Sequence, residues 1–291
     1  MRQQWQPILV IKDLSKIYGR GCARCLEVTG PEFETNICRH CGGVVACGQV
    51  SFDLYPGEVL GIVGESGSGK STVVRLLYFD YEATGGQVYF HNGSAGAPPP
   101  GPLPGDAVNL LDLNAFQKKQ FRHALLGMVY QNPHLGLRMA VSSGGNIAER
   151  LIMAGCRHIG TMHSRSSYLL AKTEIPIQRL DEPPKNFSGG MRQRVQIAKA
   201  LSNNPRILFL DEVTTGLDLS VQARVLDLIR NLQREFNLAI IVVSHDLGVI
   251  RLLTTRTMVM RYGRVVESGL TDQILEDPQH PYTQLLVSSQ L

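Results

Sequence analysis

No stretch of the chain approaches the roughly 20 consecutive apolar residues that a bilayer-spanning helix needs. The opening residues, Met1-Arg2-Gln3-Gln4-Trp5-Gln6, lack the apolar centre of a secretory leader. Together these absences predict a cytoplasmic protein with no direct membrane insertion, one that reaches a membrane only through a partner. Charge of one sign is scarce too. A formal net charge of +4, with no lysine or arginine run, leaves no footprint for nucleic acid. Six cysteines in a reducing compartment argue against a disulfide framework. What remains is ordinary globular composition, 43% hydrophobic and 19% charged, in a chain long enough to bury a large core.

What is there is a loop. Gly64-Glu65-Ser66-Gly67-Ser68-Gly69-Lys70-Ser71 follows the apolar run Val59–Val63 and precedes Thr72-Val73-Val74-Arg75-Leu76-Leu77, which has helical spacing. Strand, glycine-rich loop and helix are the context a phosphate-binding loop requires. Glycines let successive backbone N–H groups curl around an anion, because no Cβ blocks close approach. The helix that follows turns its positive dipole end to the same anion. Lys70 can reach the β- and γ-phosphates, and the Ser71 hydroxyl can ligate Mg²⁺. A glycine turn with a chance lysine explains neither the full spacing nor the flanks. The chain is expected to bind a nucleoside triphosphate.

Ahead of the loop, Ile8–Ile11 and Leu14–Tyr18 read as an opening strand and a turn. Tyr18 suits base stacking and a core position about equally. Cys22-Ala-Arg-Cys25 and Cys38-Arg-His-Cys41 then place four thiols on two knuckles, the donor set of a closed tetrahedral site. Structural zinc fits that pattern first, with rubredoxin-like iron or a redox set as alternatives. The metal would brace an insertion over 22–47. His40, Cys47 and Cys156 read as bystanders. Residues 92–105 are Pro/Gly-rich and low in complexity, a surface loop rather than a domain linker.

Downstream, Leu126–Val129 is a strand that runs into Tyr130, Gln131 and a proline stop. Helical patterning from about Gly145 to Arg179 marks an inserted helical subdomain, 133–195. The runs Arg206–Asp211 and Ala239–His245 read as buried parallel strands, ending in carboxylates and a histidine. Ligands bind beyond the carboxyl ends of such strands, where the loop, Asp211, Glu212 and His245 all fall. Asp211 can hold Mg²⁺ through water and Glu212 can orient or deprotonate an attacking water, although paired acids also serve as helix caps. Ser188-Gly189-Gly190-Met191 opens a further helix, either as an anion site or as a plain capped start.

These residues resemble the ATP-binding cassette family over nearly the whole chain, 7–288. The resemblance implies an α/β fold: a P-loop NTPase cassette with a RecA-like parallel core, an antiparallel β subdomain and the inserted helices. It implies that Tyr18 stacks on adenine and that Gly64 through Thr72 hold the phosphates. Gln131 would sense Mg²⁺ together with Ser71 and Asp211, Glu212 would be the catalytic base, and His245 the switch histidine. Ser188–Met191 matches the signature, usually Ser-Gly-Gly-Gln, and Asp218 the dimer-facing aspartate. Two chains would then sandwich ATP head to tail. Met191 in place of glutamine removes an amide, and Val213 in place of proline frees an N–H and loosens its turn.

The tail Asp277-Pro278-Gln279-His280-Pro281-Tyr282 is similar to the oligopeptide/dipeptide-importer branch. Within it, His134–Arg138, Val141–Leu151 and Val221–Leu228 resemble the K-subunit family of the carbon–phosphorus lyase system. That resemblance implies an ATPase docked on a soluble phosphonate-cleaving core complex, itself breaking no carbon–phosphorus bond. The alternative is the ATPase of a peptide-type importer.

Overall fold

The computed structural model describes residues 6–91 and 108–289. The Pro/Gly-rich segment 92–105 lies outside the described residues. Apolar alternation and turn residues set the first elements: strands β1 (Leu9–Tyr18), β2 (Val44–Leu54) and β3 (Val59–Val63), helix α1 (Lys70–Leu77) and strand β4 (Gly85–Phe90). Helix α2 (Ala115–Leu125) leads into β5 (Leu126–Val129), then α3 (Pro133–Gly136), α4 (Ser143–Met153), α5 (Ile159–Lys172) and α6 (Gly189–Ala200). After β6 (Ile207–Asp211), α7 (Leu219–Phe236) and β7 (Ala239–Val243) come α8 (Leu247–Leu253), β8 (Arg256–Arg261), β9 (Arg264–Leu270), α9 (Thr271–Glu276) and α10 (Pro281–Ser288).

Two compact units result, one of residues up to Lys118 with those from Ile241 on, the other Lys119–Ile240. In the first, β1 lies between β2 and β4, antiparallel to both. β1 is one ten-residue strand, not the strand and turn expected from the sequence. Asp13 takes a left-handed conformation (φ 51°) and the pairing register shifts there, so a bulge bends the strand without ending it. β2 likewise begins earlier than the alternation at Val50–Leu54 suggests, because the chain leaving the second cysteine knuckle is already paired, Val44 opposite Tyr18. β3 is buried at all five positions and pairs in parallel with β8, which pairs antiparallel with β9. The phosphate loop leaves β3 at its carboxyl end and enters α1.

In the second unit β5 runs parallel to β6, Leu126 opposite Ile207 and Val129 opposite Leu210. Parallel neighbours end at the same edge, so Gln131 after β5 and Asp211-Glu212 at the end of β6 are brought together. α4, α5 and α6 fall where the sequence pattern predicts helix, whereas α2 and α7 are not among the predicted helices. Ser142 caps α4, accepting from the Gly145 N–H, and the buried Asn146 side chain accepts from Arg138 N–H and donates to the carbonyls of Arg138, Val141 and Ser142. The Arg150 guanidinium reaches from α4 to the Leu126 carbonyl at 2.6 Å, fastening the helices to β5. α7 is amphipathic and buries Val225, Leu226, Leu228, Ile229 and Leu232 on one face. Among the described residues no helix is long and apolar enough to cross a membrane.

Candidate nucleotide site and cysteine cluster

In the first unit the phosphate loop is held by close packing that only glycine permits. At Gly64 (φ 144°) a Cβ would meet the Met260 carbonyl oxygen at 2.1 Å, and at Gly69 (φ 104°) the Ala46 carbonyl oxygen at 2.0 Å. The Lys70 ammonium is buried and donates to the carbonyls of Gly64 and Glu65, both at 2.8 Å, so the lysine folds back along its own loop. Helix α1 starts at Lys70 with no side-chain cap, and Ser71 and Thr72 occupy its first turn. Glu65, Ser66 and Gly67 are exposed, whereas Ser68 is buried and accepts from Gly263 N–H at 3.0 Å.

Tyr18 stands at the end of β1, 40% exposed, with its ring edge-on to Tyr81 and the Lys16 ammonium 5.1 Å above its face. The Thr72 side chain, in the first turn of α1, acts to lower the Tyr18 pKa as a hydrogen bond would. Burial and Tyr81 raise it against that effect. The ring is partly exposed rather than enclosed in the core. His245 is exposed just beyond β7, whose end lies beside that of β3 through Ser244 N–H to the Ile62 carbonyl, 3.2 Å.

Sequence reasoning missed one residue here. The Glu65 N–H donates to the Tyr282 hydroxyl at 3.0 Å, and the Arg261 guanidinium covers the Tyr282 ring at 4.7 Å. The only signal was the His-Pro-Tyr tail, legible as a family mark but not as a brace for the loop.

In the second unit, Asp211 is buried and Glu212 half-buried. The Gln131 amide donates to Glu212 Oε2 at 2.8 Å, and the Thr215 hydroxyl reaches the same oxygen at 3.3 Å. Glu212 lies in the left-handed region (φ 49°), a conformation that costs energy in a non-glycine residue and clusters at functional sites. The turn after it is closed by Thr215 N–H to the Glu212 carbonyl, 3.2 Å, with Val213 buried.

Ser188 caps α6, accepting from Met191 N–H at 3.4 Å. Gly189 is exposed. Gly190 is a packing glycine, since a Cβ there would meet Val221 Cγ1 at 2.4 Å. Met191 Sδ accepts from the Arg179 guanidinium at 3.3 Å, so the thioether takes a contact on the side of α6 where an amide was expected. Asp218 is exposed at the start of α7, and its carboxylate does not cap that helix.

The family model for the ABC transporter matches residues 47–215. The chain belongs to that family. This ABC ATPase is 50% identical over 243 residues to an Escherichia coli (strain K12) protein named for phosphonates utilization and ATP binding, PhnK, covering 84% of this chain and 90% of that one. It is 38% identical over 250 residues to the oligopeptide transport ATP-binding protein OppD of Bacillus subtilis (strain 168), covering 85% and 67%. Among solved structures it resembles the dimeric, post-hydrolysis ATP-binding cassette MJ0796 bound to ADP and Pi. The TM-score is 0.72 at 25% identity, covering 90% of this chain and 98% of that one. The fold is thus the α/β P-loop NTPase cassette.

The ABC ATPase also carries the cysteine cluster in its first unit. The sulfurs of Cys22, Cys25, Cys38 and Cys41 all lie within 4.8 Å of one another, with Cys22–Cys25 at 3.7 Å, Cys22–Cys38 at 3.8 Å and Cys25–Cys41 at 3.4 Å. Burial raises the Cys38 thiol, but the His40 and Cys41 amides outweigh it and bring it down to about 7. Against the lowering effect of the Cys22 amide, burial and the neighbouring thiols push Cys25 up to about 12. His40 is exposed outside the cluster, and Cys47 is buried elsewhere in β2.

Proposed function

We propose that this ABC ATPase docks on the soluble carbon–phosphorus lyase core complex and powers conformational change during phosphonate breakdown. The observation that carries the reading is its 50% identity to a protein named for phosphonates utilization, against 38% to an oligopeptide transport protein. Within that role, Lys70 and the loop amides of Gly64–Ser71 bind the phosphates, and Tyr18 stacks on the base. Ser71, Gln131 and Asp211 are oxygen donors of the kind Mg²⁺ accepts. Mg²⁺, if held by such residues, would supply charge neutralisation at the phosphates. Glu212 orients the attacking water and takes its proton, while Gln131 fixes the carboxylate and His245 contacts the γ-phosphate. Phosphoryl transfer asks little else of a protein than positioning and charge.

Ser188–Met191 and Asp218 belong, on this reading, to the ATP held by a second copy, so the working unit is a nucleotide-sandwich dimer. The dimeric cassette among its structural relatives supports this. The cassette domain spans 7–288, with 133–195 as its helical subdomain and 22–47 as an insertion whose four cysteines hold structural zinc.

A pull-down from the source cells, with and without a non-hydrolysable ATP analogue, tests the proposal. Recovery of a soluble phosphonate-cleaving complex supports it. Recovery of a membrane permease instead establishes the alternative, an oligopeptide/dipeptide-type importer, which the OppD similarity favours.

A further inference from the structure

Four thiolates around one tetrahedral zinc at about 2.3 Å stand about 3.8 Å apart. Three of the six separations, 3.4–3.8 Å, lie close to that spacing, all six are within 4.8 Å, and these three far exceed a disulfide bond. Two backbone amides point at these sulfurs, Cys22 N–H to Cys25 Sγ at 3.2 Å and Gly43 N–H to Cys41 Sγ at 3.4 Å, an arrangement that favours thiolate. Gly42 (φ 72°) makes the second knuckle turn possible, with its N–H on the Cys38 carbonyl at 2.8 Å.

Two routes connect the cluster to the phosphate loop. The first is β2 itself. Cys25, Cys38 and Val45 form one buried group with half-buried Ile17 packed against it, and Val45 N–H donates to the Asn36 carbonyl at 2.8 Å. One residue later, the Ala46 carbonyl is the wall against which Gly69 packs. Opposite Val44 on β1 stands Tyr18. The second route is Arg264, whose guanidinium donates to the Leu26 carbonyl, between the two knuckles, and to Gln49 Oε1 at 2.6 Å. Its neighbour Gly263 donates to the Ser68 carbonyl at 3.0 Å and accepts from Gly48 N–H at 2.8 Å. Segment 44–48 of β2 is thus held between the cysteine knuckles and the phosphate loop.

We infer that zinc in the Cys22/Cys25/Cys38/Cys41 site sets the nucleotide affinity of this ATPase, by holding β2 and Tyr18 in register with the phosphate loop. The inference rests on the ATP-binding reading above. Without the metal, four crowded thiols no longer share a centre, segment 22–43 loosens, and the Ala46 wall and the Tyr18 ring lose their fixed positions.

The test uses the full chain. Elemental analysis is expected to find one zinc per chain, and cobalt(II) exchanged into the site should show the visible ligand-field absorption of a tetrahedral thiolate centre. Fluorescent Mg-ATP binding is compared for zinc-loaded, metal-stripped and zinc-restored wild type, with an expected weakening of at least about fivefold on stripping and recovery on restoration. Arg264→Gln leaves every cysteine in place and should keep the metal while losing part of the affinity. Cys47→Ala should keep both. Equal affinity with and without zinc overturns the coupling, and chains that hold iron or no metal overturn the zinc assignment. Failure of zinc-loaded chain to bind Mg-ATP overturns the nucleotide reading and the coupling with it, whereas metal content and cobalt spectrum are read independently.

Discussion

At the scale of single residues, the proposed function rests on the carboxylate of Glu212. Two donors converge on its Oε2, the Gln131 amide and the Thr215 hydroxyl, and its backbone is held at φ 49°. On the proposed reading, a side chain so constrained is held ready to act on one water. Replacing it by glutamine keeps size and most contacts but removes the base. Glu212→Gln is therefore expected to lower phosphate release by about 100-fold or more while Mg-ATP binding persists in a fluorescent-nucleotide titration. Unchanged turnover would remove Glu212 from that role. His123 is a different kind of residue. It is buried on α2, and neither ring nitrogen has a hydrogen-bond partner among the described residues. Burial, then the charges of Arg150, Arg122 and Lys119, bring its pKa down to about 4 from an ordinary 6.5. The unfolded chain therefore binds a proton that the folded one refuses between those values, and stability is lost as pH falls through that window. Urea midpoints measured from pH 7.5 to 4.5 should fall by the equivalent of about one proton per chain, and His123→Leu should flatten the slope.

At the scale of elements, the glycines carry much of the architecture, and they do so for different reasons. Gly64 and Gly69 admit backbone carbonyls within the phosphate loop, but Gly190 serves the approach of α6 to α7. A Cβ on Gly190 would lie 2.4 Å from Val221 Cγ1, on a β-branched side chain with little freedom to turn away. Gly190→Ala should cost about 1–3 kcal/mol by overpacking, read as a drop in thermal midpoint. Val221→Ala in the same chain should recover most of that loss. If the single variant unfolds like wild type, the close approach is not tight in solution. The strand–loop–helix unit around Lys70 was legible from spacing, because apolar runs, glycines and lysine must follow one another in the chain to make it. The bulged β1 was not. Its Asp13 kink is stabilised by the Ser51 hydroxyl, 38 residues on, accepting from the Asp13 N–H at 2.8 Å. Local pattern holds no trace of such a partner.

At the scale of the whole molecule, the nucleotide-sandwich proposal predicts association that depends on ATP. Light scattering should find the Glu212→Gln chain dimeric in Mg-ATP and monomeric without nucleotide, and Ser188→Arg on the same background should keep it monomeric. A Glu212→Gln chain that stays monomeric at saturating Mg-ATP would overturn the sandwich. Sequence alone determined the phosphate loop, the buried strands Val59–Val63, Arg206–Asp211 and Ala239–His245, and the four-cysteine set, since each is written in contiguous residues or short fixed spacings. Family membership followed from the same motifs. Only the tertiary structure decided that Tyr282 braces Glu65 from 217 residues away, that Gln131 and Glu212 meet, and that Arg264 ties the cysteine knuckles to β2. Each of these joins residues far apart in the chain that only the folded structure brings together. A linear pattern records which residue types are present, but the distance between them is settled only when the sheets form.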